Sequence, residues 1–173
     1  MSLIARAIVE ATTRTLSYAD RLLPGVTPAM FARMPSPGGA MIQTNHPAFV
    51  FGHLALYPAR FLENAGKEAG AAAVPAAYAG LFAAGVECRD DPAGTIYPAM
   101  EEVVAHFRRS HAELFRVMSE MRDEEFAAPP ATERSRAFVS TVAALGVYYF
   151  AAHTMNHLGQ VSAWRRCMGL PAA

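Results

Sequence analysis

Apolar positions recur at three- and four-residue steps along most of the chain, and runs of alternating β-branched residues are absent. The pattern predicts an all-α protein. A first helix runs from about Ser2 to Leu23, with Ile4, Ile8, Ala11, Thr15 and Leu22 near one stripe and Pro24-Gly25 as its stop. Residues 24–46 are rich in Pro and Gly and form an irregular connection, with one short turn after Thr27-Pro28. A second helix starts at Pro47, a good first-turn residue, and ends near Ala65, before Gly66. A long crossover from Lys67 to Tyr97 has room for one short helix between Pro75 and Ala84. A third helix spans Pro98 to about Met121, with Glu101 and Glu102 where the helix dipole favours acids. After a loop at Arg122–Arg134, a fourth helix covers Ser135–Met168, with Gly146 as a weak point inside it and Gly169 and Pro171 beyond its end. Four long helices with a long crossover between the second and third predict one domain over residues 1–173, a four-helix bundle in up-down-down-up order.

Composition narrows the class. The chain has 173 residues, of which 17% are charged, and Lys+Arg and Asp+Glu number 15 each. A net charge of zero argues against a nucleic-acid partner or a polybasic membrane surface. Cys88 and Cys167 are too far apart for a CxxC pair and too few for a disulfide framework, and both read as structural. With no apolar core to a leader at the N-terminus, the expected location is cytoplasmic. Residues 137–164 carry no charge over 28 positions, yet Ser140, Thr141, His153, Thr154, Asn156, His157, Gln160 and Ser162 lie among them. Polar groups at that density are costly in lipid, so a core helix is expected instead of a membrane span.

The candidate chemistry lies in the histidines. His153 and His157 stand at i and i+4, on one helix face, where two imidazoles can bind a single ion. Val142, Gly146 and Tyr149 lead up to the pair on that face, so it should point into the bundle. The middle positions hold Thr154 and Met155, so the Glu of an HExxH protease is missing. His53, among Phe49, Val50, Leu54 and Tyr57 in the second helix, is the best third ligand. His46 lies two turns earlier, about 11 Å along the axis, and reads as a helix cap or a pocket-rim residue. His106 and His111 point in different directions on the third helix and read as solvated or partly buried. No Glu-x-x-His occurs, which excludes a di-iron carboxylate bundle.

The segments Asn45–Leu54 and His153–Pro171, with Tyr97-Pro98 at the start of the third helix, resemble the DinB/YfiT-like family of metal-binding four-helix bundles. That resemblance implies His53, His153 and His157 as ligands of one divalent transition metal: zinc, nickel, iron or manganese. Members often carry an acid directly after the first His of the pair, where this chain has Thr154. Characterised relatives include transferases and an isomerase that use low-molecular-weight thiols such as bacillithiol or mycothiol. The resemblance therefore implies a metal-dependent thiol transferase, and also a homodimer, for which the Ala-rich stretch 71–84 is available. Tyr149 and Gln160 are the further pocket candidates: Tyr149 as a donor to a developing anion, Gln160 as a pocket group or as a partner of a ligand. Two other readings stay open: a non-catalytic bundle in which the metal only ties two helices together, and a metal-free binder of a small molecule.

Overall fold

The computed structural model describes residues Met1–Ala173. In chain order the helices are α1 (Leu3–Arg21), α2 (Pro28–Phe31), α3 (Pro47–Leu54), α4 (Tyr57–Asn64), α5 (Tyr78–Phe82), α6 (Met100–Glu120), α7 (Asp123–Ala127), α8 (Glu133–Arg136), α9 (Val142–Val147) and α10 (Thr154–Cys167). A π-helical stretch, Tyr148–His153, joins α9 to α10. None of these helices is long and apolar enough to cross a membrane.

Cross-helix contacts give the order of the bundle. Ile8 packs at Gly146, Thr15 donates to the Phe150 carbonyl and Arg165 donates to that of Leu22, so α1 runs parallel to the last helix. Asn45 reaches Gln160, His53 reaches His153, and Asn64 reaches Thr132, so α3 and α4 run antiparallel to it. Ile4 meets Asp123 beyond the end of α6 and Asp20 meets Arg108, so α1 and α6 are antiparallel. The result is the up-down-down-up bundle, with the crossover and α5 bridging two parallel helices. Trp164, Phe31, Phe51, Phe61, Phe82, Phe126 and Phe150 fill the middle and are fully buried. Each contributes about 1.5–3 kcal/mol of transfer free energy.

The long helices depart from the expected ones in several details. The second helix is broken at Ala55-Leu56, because Pro58 has no N–H to offer the Leu54 carbonyl. The chain tightens there, with the Leu56 N–H bonded to the His53 carbonyl at 3.1 Å. The fourth helix does not start at Ser135. Residues 137–141 leave the helix after α8, and Thr141 caps a new start by accepting from the Ala144 N–H. The weak point at Gly146 proves to be a packing site: a Cβ there would stand 3.1 Å from Phe61 and 3.2 Å from Ile8. On α1 the buried stripe is Ala5, Ile8, Thr12, Thr15, Ala19 and Leu22, which leaves Ala11 outside. Thr12 and Thr15 enter the core by donating to the Ile8, Thr12 and Phe150 carbonyls.

His106 and His111 correct the sequence reading most clearly. Both are buried, at 2% and 1% exposure. Their helix, α6, is packed by α1, α3, α4 and the 70–72 turn, so directions that differ along it all meet protein. His111 donates from Nδ1 to the Phe107 carbonyl at 2.7 Å, and burial lowers its pKa to about 4.

Candidate metal centre

His53 comes from α3, His153 from the π-helical stretch and His157 from α10. The Nε2 of His153 lies 3.3 Å from that of His53 and 3.1 Å from that of His157. Two nitrogens held about 2.0–2.1 Å from one tetrahedral ion stand roughly 3.3 Å apart. Two of the three separations therefore match that spacing, and the three candidate ligand atoms, one from each ring, all lie within 4.8 Å of one another.

The far sides of two rings fix their tautomers. His53 Nδ1 donates to the Phe82 carbonyl at 2.6 Å, and His157 Nδ1 donates to Gln160 Oε1 at 3.0 Å. Each leaves Nε2 as a lone pair, the form a metal needs. Asn45 Nδ2 donates to the same Gln160 oxygen at 3.0 Å and holds it in place. His153 Nδ1 is buried without a partner, so either tautomer of that ring strands one nitrogen. With Nδ1 protonated, all three Nε2 lone pairs face one another, an arrangement a cation relieves. The donor set fits a divalent transition metal on these grounds.

Burial keeps the rings neutral. It lowers the pKa of His53 to about 4 and that of His153 to about 3, and it lowers that of His157 as well. Thr154 does not replace the acid often found at its position as an orienting group. Its hydroxyl donates back to the Tyr149 carbonyl at 2.8 Å, inside the π-helical turn. His153 is the last residue of that π-helical stretch.

The site opens on a cleft of about 820 Å³ walled by Asn45, Phe49, Tyr57, Arg60, Phe138 and Tyr148, among others. Tyr57 is the group the sequence reading missed. Its hydroxyl lies 3.2 Å from His53 Nε2, and burial raises its pKa, so it stays a donor at neutral pH. The i+4 spacing from His53 was a visible signal, but an apolar neighbourhood makes such a tyrosine look like core. The Phe82 carbonyl had no signal, being backbone from the end of α5 in the crossover. Tyr149 lines the cleft and packs on Tyr57 at 4.7 Å, yet no polar atom meets its hydroxyl.

His46 is not at the rim. It is a fully buried cap: Nδ1 accepts from the Phe49 N–H and Nε2 donates to the Arg89 carbonyl. Cys88 is buried, which raises its thiol pKa to about 11 and leaves it a poor nucleophile.

The fold is matched by a protein of known structure, and the sequence by a family model. A solved structure of YfiT from Bacillus subtilis, described as a probable metal-dependent hydrolase with an unusual four-helix bundle topology, superposes with a TM-score of 0.56. The match covers 96% of this chain and 89% of that one at 15% identity, so it is a likeness of fold. No curated protein matches the sequence. The family model for the DinB superfamily matches residues 7–161, a span that includes His53, His153, His157 and their supports, and this chain belongs to that superfamily.

Proposed function

We propose that His53, His153 and His157 hold one divalent transition metal and that the protein is a metal-dependent enzyme acting on a small molecule in the adjoining cleft. The observation that carries this reading is the convergence of three Nε2 atoms beside an open cleft. Three protein ligands facing a cavity fit a catalytic centre, whereas a structural site is closed by a fourth. When bound, the ion supplies Lewis acidity that makes a water or thiol nucleophilic near neutral pH.

The chain's own groups have separable parts. The Phe82 carbonyl and Gln160 orient His53 and His157. With the His53 lone pair engaged, the Tyr57 hydroxyl no longer has that acceptor and turns to a substrate atom as a hydrogen-bond donor. Phe49, Phe138, Leu145 and Tyr148 give the cleft apolar walls that exclude water. The likeness to thiol-dependent family members favours a low-molecular-weight thiol as nucleophile. The thiol loses its proton to solvent, its sulfur bonds the electrophilic carbon, and the leaving group departs with its electron pair. The described chemistry of YfiT favours water as the nucleophile instead.

Metal-loaded protein should be assayed with a thiol plus an alkyl or aryl halide, and separately with activated esters and amides. Turnover that requires metal and is at least tenfold slower in Tyr57→Phe supports the reading, and the substrate turned over chooses the nucleophile. Absence of turnover in both assays, with metal bound, favours the bundle in which the ion only ties α3 to α10.

A further inference from the structure

The cleft wall carries two positive charges that the site has not yet used. Arg60, on α4, is half-buried, and its Cζ lies 5.0 Å from the centre of the Tyr57 ring. That ring is itself 4.3 Å from the His153 ring, so one tyrosine separates the guanidinium from the three histidines. Arg134, on α8, lines the same cleft. Both arginines act on the electrostatics of Tyr57.

Their placement is built. Asn64 accepts from the Thr132 N–H at 3.2 Å and from its hydroxyl at 2.8 Å, and its own carbonyl accepts from the Ala131 N–H at 2.9 Å. Asn64 is one turn after Arg60, so this clamp holds the backbone before Arg134 against the end of α4. Neither guanidinium meets a carboxylate. Arg33, Arg108, Arg116 and Arg122 all form ion pairs elsewhere, whereas Glu63, the single acid on the cleft wall, pairs with neither Arg60 nor Arg134. Arg60 is thus ordered by packing on Tyr57 and keeps its N–H fork unspent, a form suited to a planar oxyanion.

We infer that Arg60, assisted by Arg134, is a carboxylate-binding subsite, so that the substrate of this cleft is a small carboxylic acid whose reacting atom lies at the three histidines. The inference names the substrate class of the proposed site and rests on that reading for the reacting end only. The carboxylate end is independent of the metal. It reaches Arg60 along the Tyr57 ring while the chain between the two ends lies on the apolar walls.

The test is calorimetric binding of 5-phenylvalerate and of its neutral amide, 5-phenylvaleramide, to full-length protein as purified and after chelator treatment. The acid should bind at least tenfold more tightly than the amide in both preparations, with an affinity that falls as salt rises. Arg60→Gln should abolish that preference, Arg60→Lys should keep part of it, and Arg134→Gln should reduce it. Arg6→Gln, which removes a surface charge on α1 away from the cleft, should leave it unchanged. Circular dichroism melts of each variant show whether it folds. Equal binding of acid and amide, failure of the acid to bind at millimolar concentration, or a preference that survives Arg60→Gln overturns the inference. A preference seen only with metal and insensitive to Arg60 also overturns it, because the carboxylate is then a ligand of the ion. Loss of the metal reading would show instead as metal-free native protein with the Arg60-dependent preference intact.

Discussion

Gly52 precedes the first candidate ligand, and replacing it by alanine tests how tightly that ligand is supported. A Cβ at this position would meet Cδ1, Cε1 and Cε2 of Phe82, each at 2.6 Å. Carbon atoms pack at about 3.5–4.0 Å, so the ring must retreat by roughly 1 Å. It has nowhere to go. Phe82 is fully buried and held by Tyr78 at 4.9 Å, Tyr97 at 5.8 Å and Phe49 at 6.3 Å. Overpacking of this kind costs about 1–3 kcal/mol, while alanine returns about 0.5–1 kcal/mol of helix propensity. The clash wins, and Gly52→Ala should lose about 1–2 kcal/mol. For a chain of this size that lowers Tm by about 2–8 °C. Gly159→Ala is the control, since nothing lies within 4 Å of its Cβ in the exposed face of α10. There the propensity gain acts alone and Tm should rise by about 1–4 °C. Both melts are to be followed by circular dichroism with chelator present, so that ligand linkage does not contribute. The Phe82 carbonyl that holds His53 moves with its ring, so metal affinity in Gly52→Ala should also fall by about tenfold. A Gly52→Ala protein that melts at or above the native temperature would refute the packing argument.

Other expectations follow from the same geometry. Gln160→Leu removes the acceptor of His157 Nδ1 and should weaken metal binding by about 10- to 100-fold in a titration, with little change in the metal-free melt. The metal-free protein should lose stability as pH falls from about 6.5 toward 4. The unfolded chain takes up protons on its histidines near 6.5, whereas His111 and His53 stay neutral in the fold down to about 4. His111→Phe should flatten that slope in urea titrations run across the window, and an unchanged slope would contradict the assignment. A thiol-alkylating reagent at pH 8 should leave Cys88 unmodified until the protein is unfolded, as read by intact-mass spectrometry.

The bundle was legible because its signals are local. Pro28, Pro47 and Gly169 mark helix ends, and HxxxH spacing places two imidazoles on one face. The breaks were less legible because they depend on competition. Pro58 forbids one hydrogen bond but permits a helix that starts one residue earlier. Thr141 breaks the last helix by capping a new one, an option the apolar pattern around it does not advertise. The burial of His106 and His111 depends on how many neighbours surround α6, which periodicity within one helix does not encode. Within the site, side chains were readable and backbone was not. Gln160 stood at the right offset from His157, but the Phe82 carbonyl comes from the end of α5, 29 residues after His53. The π-helical turn that ends at His153, with α1 lying against it, likewise has no signature in the local apolar pattern.

The proposed chemistry depends on three converging imidazoles holding one ion. Metal content by plasma mass spectrometry, measured on native protein beside His153→Ala, tests it most directly. About one equivalent of a divalent transition metal is expected in the native protein, and its loss in the variant. No metal in either, even after reconstitution with zinc, nickel, iron and manganese, would overturn the metal assignment.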